Sequence, residues 1–149
     1  MIDQSTRQEW MGILAKAQVE ELEEIWNLLR VKPTYYFVRP PETGLIMIRG
    51  RAGGTGLLFN LGEVTVTRCT IQVKDGFQGT AYVLGRNHRH AELAAVFDAL
   101  LQDSAQHLFL WEFVIQPIRK KMQMRKTMLA KKTASTKVEF FTMVRGDGV

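Results

Sequence analysis

The 149-residue sequence has one cysteine, Cys69, and three histidines, His88, His90 and His107. A single thiol forms no internal disulfide, and these ligand types at these spacings match no structural zinc site. No metal is therefore expected, and the lone thiol suits a reducing, cytoplasmic setting. No run approaches the ~18 to 20 apolar residues needed to cross a bilayer. The run LFLWEFVI, residues 108–115, is short and interrupted by Glu112, so it reads as a buried helix face. The opening MIDQSTRQEWM lacks the basic-then-apolar order of a signal peptide, and no membrane partner is expected. No serine stands in a nucleophile elbow and no carboxylates are paired in a setting that splits their pKa values, so no catalytic residue is assigned.

What the sequence does have is an apolar share of 46%, enough for one core in a single domain, residues 1–149. It also has a net charge of +5 that is unevenly spread. Residues 117–137 hold eight basic side chains and no acidic one; removing those eight from 20 leaves 12 basic against 15 acidic residues elsewhere. A cluster of this kind attracts polyanions, and Lys120, Lys121, Arg125 and Lys126 mark it as a candidate partner surface. Met122, Met124 and Met128 give it an adaptable apolar side, whereas no aromatic residue is interleaved for base stacking. A solvated basic face is the plain alternative.

Hydrophobic spacing divides the chain into a helical segment over residues 6–30, a strand-rich middle over 35–86, helices over 88–132 and a final strand over 135–145. Thr6 and Glu9 have the spacing of a capping box, and Trp10, Ile13, Leu14 and Ala17 follow at helical intervals, with Leu22, Ile25, Trp26 and Leu29 repeating them. Lys32 and Pro33 are read as the stop. The runs TYYFV, GLIMIRGR, EVTVTRCTIQV and GTAYVLGR are separated by PPETG, GGTG and KDGFQG; Asp75-Gly76 is a strong hairpin signal. Leu93, Phe97, Leu100 and Leu101 give the next helix its inward side, and Pro117 is expected to kink or divide the one after it. The fold expected is α+β, an antiparallel sheet of about four to five strands with helices packed mainly on one face. Whether FFTMV, residues 140–144, is an inner or an edge strand stays open.

RGRAGGTG, residues 49–56, is the main candidate site. Arg49 and Arg51 project from one face of a strand, and Gly53, Gly54, Thr55 and Gly56 permit backbone N–H groups to converge on an anionic oxygen. It lacks the lysine and spacing of a Walker loop and the spacing of a dinucleotide fingerprint, and a glycine-rich turn with solvated arginines explains it equally. Arg68, inside a strand, either pairs with a carboxylate such as Glu63 or joins the two arginines around one multiply charged ligand. GRNHRHAE, residues 85–92, sets a strand end before a helix capped by Asn87, where Arg86, His88, Arg89 and His90 form a weaker second anion contact. Surface histidines at a capped helix start are the alternative there.

Taken together, PETGLIMIRGRAGGTGLLFNLGEVTVTRC, GRNHRHAELAAVFDALLQ and TKVEFFTMVRG resemble the G subunit (PhnG) family of the bacterial carbon-phosphorus lyase system. The similarity runs from RQEWM at Arg7 to the closing MVRG and is least distinctive over residues 112–134. It implies a subunit of the lyase core complex that acts with the H, I and L subunits to transfer the ribose triphosphate part of ATP to methylphosphonate. The products are adenine and ribose 1-methylphosphonate 5-triphosphate. Partners implied are the H, I and J subunits, the I subunit most directly, with a functional link to L. ATP and phosphonate are substrates of the complex, no cofactor belongs to this chain, and the carbon-phosphorus cleavage is the task of J. Two other readings are weighed beside it: a nucleotide transferase in its own right, and a basic α+β module that binds nucleic acid.

Overall fold

A computed structural model describes the backbone of residues 2–147 and the side chains of residues 2–134. The order is α1 (Gln4–Lys16), α2 (Val19–Leu28), β1 (Tyr35–Arg51), β2 (Leu58–Val73), β3 (Gln78–Leu84), α3 (His88–Leu101), α4 (Ser104–Leu110) and α5 (Gln116–Asp147). The strands form one antiparallel sheet in the order β1-β2-β3. The α+β class and the helix-covered face hold, with three strands in place of four to five. TYYFV and GLIMIRGR are one strand, because PPETG lies within β1, its two prolines taken up by a register shift between Arg39 and Glu42 that follows another between Phe37 and Arg39. Pro40 and Pro41 supply no N–H, but β1 is an edge strand and bulges absorb them.

The final strand expected over residues 135–145 is helical instead, so FFTMV is neither an inner nor an edge strand. Lys, Met, Gln, Arg and Ala favour continuation of α5, and neither proline nor glycine interrupts it between Ile118 and Arg145. Pro117 divides nothing. Residues 111–115 form a π-helical turn between α4 and α5, one wide turn that receives a ring unable to donate to the preceding carbonyls. The capping box also fails to form: Asp3 precedes α1, Thr6 lies inside it, and the Asp3 carboxylate meets the Ser5 hydroxyl in place of a capping bond. The first segment is two helices, and it stops at Leu28, before Lys32 and Pro33. The Asp75-Gly76 hairpin does form, with Asp75 at φ 57 and Gly76 N donating to Val73 O at 3.0 Å.

The core lies between the sheet and the helices. Alternate residues of β2 and β3, among them Cys69, Ile71, Ala81 and Val83, point to α3, which is buried along almost its whole length. Four alanines on α3 keep its surface flat, and Gly79 of β3 lets the backbones meet; a Cβ there would lie 1.9 Å from Ala95 O. On the far side of α3, Trp10, Leu14, Leu22 and Leu110 close the core. At the centre Asp98, fully buried, accepts from Arg7 Nη2 at 2.9 Å, Trp10 Nε1 at 2.8 Å and Thr80 N at 3.0 Å. One carboxylate thus joins α1, α3 and β3. The apolar run 108–115 is only half interior: Leu110, Val114 and Ile115 are buried, while Leu108 and Phe109 are exposed.

Candidate functional site

β3 ends where Leu84 pairs with Val66, but β1 and β2 continue pairing from Gly44 with Val66 to Arg51 with Leu58. About eight residues of each strand therefore leave the body as a two-stranded arm, roughly 25 Å long at ~3.3 Å per residue. RGRAGGTG is its end. Arg49 stands opposite Asn60 and Arg51 opposite Leu58, so the two guanidinium stems leave one face, as their spacing requires. A short 3-10 turn, Ala52–Gly54, reverses the chain, with Gly53 at φ 64 and Gly54 at φ 81, values that L side chains rarely adopt. The N–H groups of Ala52, Thr55 and Gly56 close this turn, on Leu57 O, Ala52 O and Ala52 O respectively. Much of the backbone donor set is thus committed to the loop itself, which narrows the candidate anion contacts there to the side chains of Arg49 and Arg51. Arg51 Nη1 donates to Gly56 O at 3.3 Å, and neither arginine enters an ion pair among the described residues.

Arg68 is at the other end of the arm. It pairs across the strands with Glu42, Nε to Oε1 at 2.6 Å, with both side chains about half exposed. Glu63 is not its partner; it stands opposite Met47, further out. Seven ladder positions separate Arg68 from the pair Arg49–Asn60, on the order of 23 Å, so Arg68 and the tip arginines do not surround one ligand within this chain.

The second cluster divides in two. Asn87 caps α3 by accepting from His90 N at 3.0 Å. His90 turns inward and its Nε2 lies 2.9 Å from Leu14 O. Arg89 lies between Glu23 and Glu92 and over the Trp26 ring, and these carboxylates raise its pKa further. The same contact holds the Glu23 carboxyl below its usual range. Both are structural ties. Arg86 and His88 remain at the surface, and His88 Nε2 approaches Thr43 Oγ1 at 3.2 Å. Thr43 meets Thr67, which donates to Gly85 O at 2.6 Å, so a chain of hydroxyls connects the helix start to the root of the arm. Neither threonine is singled out by sequence; the only signal is that a polar residue replaces an apolar one at the buried position 67.

On α5, Lys120, Lys121 and Lys126 are exposed, whereas Arg125 reaches back to Glu21 of α2 at 2.8 Å. Arg119 pairs with Glu9 and lies over the Trp111 ring. The basic segment is therefore partly a fastening of α5 to the first two helices, with Lys120, Lys121 and Lys126 and the side chains of Met124 and Met128 left outside. Among the described residues no group of three or more His, Cys, Asp or Glu side chains is placed to hold a metal ion, and no helix is long and apolar enough to cross a membrane.

Comparison with known proteins agrees with this whole-chain pattern. The family profile described as "Phosphonate metabolism protein PhnG" matches residues 5–146. The chain is also 44% identical, over 141 residues, to the alpha-D-ribose 1-methylphosphonate 5-triphosphate synthase subunit PhnG of Rhizobium meliloti (strain 1021), a match covering 95% of this chain and 90% of that protein. With the arm, its glycine tip and the capped helix start all inside the matched span, the chain belongs to the PhnG family of phosphonate metabolism proteins.

Proposed function

We propose that the chain is a subunit of a cytoplasmic assembly that transfers the ribose triphosphate part of ATP to a phosphonate such as methylphosphonate, giving ribose 1-methylphosphonate 5-triphosphate and adenine. The single observation that carries this reading is the likeness, along nearly the full chain, to a subunit of that synthase. Its partners are the H, I and J subunits of the carbon-phosphorus lyase core, with I in direct contact and L linked functionally. ATP and phosphonate are substrates of the assembly, and this chain carries no cofactor.

The chain's own contribution is cationic. A ligand with a triphosphate and a phosphonate needs many charge-assisted donors, and arginine supplies them as a planar fork. Arg49 and Arg51 project at the end of an arm that reaches beyond the body, placed to complete an anion site whose other wall belongs to the I subunit. Arg86 and His88 supply a second, separate contact beside the start of α3. Gel filtration with and without the I subunit tests the assembly, and ATP or product affinity of the assembled complex tests the arginines. Replacing both, Arg49→Ala with Arg51→Ala, is expected to leave assembly intact and weaken nucleotide binding at least tenfold, since one bond to a charged group contributes about 1.5–3 kcal/mol. Unchanged affinity overturns the anion role; a chain that ignores the I subunit overturns the subunit reading.

A further inference from the structure

The arm presents apolar side chains to water on both faces. Cross-strand partners share a face, so Leu45 and Met47 lie on the side with Thr65 and Glu63, and Ile46 and Ile48 on the side with Val64 and Gly62. Phe59 and Leu61 extend the second face, Leu61 lying over Gly50. Every one of these six apolar side chains is between 42 and 64% exposed. With Leu57 and Leu58 they make eight exposed apolar side chains on one two-stranded arm, a concentration beyond the singly scattered apolar residues of an ordinary surface.

The edges are open as well. Among the described residues β1 has no neighbour on its outer side, and residues 58–65 of β2 extend past the end of β3. Protein edges of this kind are usually guarded by lysine or proline, and residues 44–62 contain neither. Pro40 and Pro41 guard only the root. The arm carries Arg49 and Arg51 near its end and one carboxylate, Glu63, further back on the face of Met47, in a chain whose net charge is +5. Two copies of the arm side by side bring four arginines to two carboxylates, a net like-charge contact, which favours a different protein as the occupant.

We propose that the arm, residues 44–62, is a docking element that inserts between apolar walls of another subunit of the same assembly, in a cleft ending in an anionic patch that receives Arg49 and Arg51. The inference rests on the subunit reading above and adds the surface, the mode and the chemistry of the contact. Apolar contact on both faces supplies the affinity and unpaired strand edges fix the register. The arginines set direction, since among the described residues Arg49 and Arg51 enter no ion pair at the free end, whereas Arg68 at the root is paired with Glu42.

The test uses the full chain and the co-expressed H, I and J subunits. Ile46→Glu with Phe59→Glu places two carboxylates on one exposed face. The expected result is at least a hundredfold loss of affinity for the I-containing assembly, with an unchanged thermal melt and molar mass of the isolated chain. Retention of wild-type affinity in this double variant overturns the docking role while leaving the subunit reading in place. A wild-type chain that does not join the assembly overturns the subunit reading itself. A wild-type dimer that the double variant dissolves identifies a second copy as the occupant and overturns the choice of partner. Arg49→Ala with Arg51→Ala is expected to assemble and to bind nucleotide weakly, the anion at the end of the cleft then being the substrate; failure to assemble places that anion on partner carboxylates and overturns the nucleotide role of the two arginines.

Discussion

Asp98→Ala is expected to be among the most destabilising single changes in the molecule, and its cost follows from the partners it leaves behind. The carboxylate accepts from Trp10 Nε1, from Thr80 N and from Arg7 through both Nε and Nη2. Trp10 is fully buried, so its N–H has no water to turn to; an unsatisfied buried donor costs about 1–3 kcal/mol. The Thr80 N–H, partly buried at the sheet, adds a similar amount. Arg7 is 36% exposed and recovers water on losing its partner, so its share is discounted well below that of a buried ion pair. The total is about 4 kcal/mol, a large part of the ~5–15 kcal/mol that stabilises an ordinary domain, and corresponds to a fall in Tm of roughly 8–16 °C. Urea unfolding of the isolated chain measures it as a lower midpoint at unchanged slope. Asp98→Asn keeps one acceptor and turns two donors toward Thr80 N and Arg7, and is expected to lose about half as much. A loss below ~1.5 kcal/mol for Asp98→Ala, or an equal loss for Arg7→Ala alone, would refute the reasoning, because the buried donors would then not carry the effect.

Gly79→Ala drives a methyl toward Ala95 O and Ala99 N, both backbone atoms of α3, and is expected to cost about 3 kcal/mol in the same unfolding assay. Burial pushes the Cys69 thiol up to about 11, so a thiol reagent at pH 8 is expected to leave the folded chain unlabelled and to react fully in urea. Burial and the nearby Glu92 carboxylate raise the Tyr35 phenol to about 12, above its ordinary value of 10.0. The unfolded chain loses that proton first, so stability from this group is fully present below pH 10, falls as pH rises toward 12, and is lost beyond it. Phenolate absorbance of the folded chain at pH 11 reads the titration, and the Tyr35→Phe variant is expected to lack that part of the alkaline slope.

The helices and the hairpin were legible because each is governed by neighbours in sequence. Leu93, Phe97, Leu100 and Leu101 face inward by period alone, Asp75-Gly76 turns by its own conformational preference, and Asn87 caps within three residues. What failed depended on partners remote in the chain or on continuity across a punctuation mark. PPETG reads as a turn, and only the edge position of β1 lets two prolines remain within a strand. FFTMV has strand composition but no strand lies beside it, so the helix before it continues. At the candidate site the pairing of Arg49 with Arg51 on one face was legible from their spacing. The distance to Arg68 was not, because it is set by a register that no local pattern encodes. Its partner Glu42 follows from the same register.

The run LIMI at residues 45–48 has a further bearing on the arm. A strand with one wet face alternates apolar and polar residues; four apolar residues in succession describe a strand covered on both faces. Among the described residues nothing covers them. No buried hydrophobic residue of the core lies between Trp26 and Cys69, so the whole arm is absent from the interior that holds the domain together. Its apolar character therefore gives the isolated chain no stability and adds a solubility cost, an arrangement that makes physical sense only when another surface removes those side chains from water. The glycines of the tip act in the same direction. They reverse the ribbon in a narrow turn whose one large side chain is Leu57, so that the end of the arm is little wider than its two strands and the charges it carries are the two arginines just behind it. The features that first read as a phosphate cradle are thus also those of a slender, cationic-tipped insert, and the two descriptions agree once the anion is placed in the subunit that receives the arm.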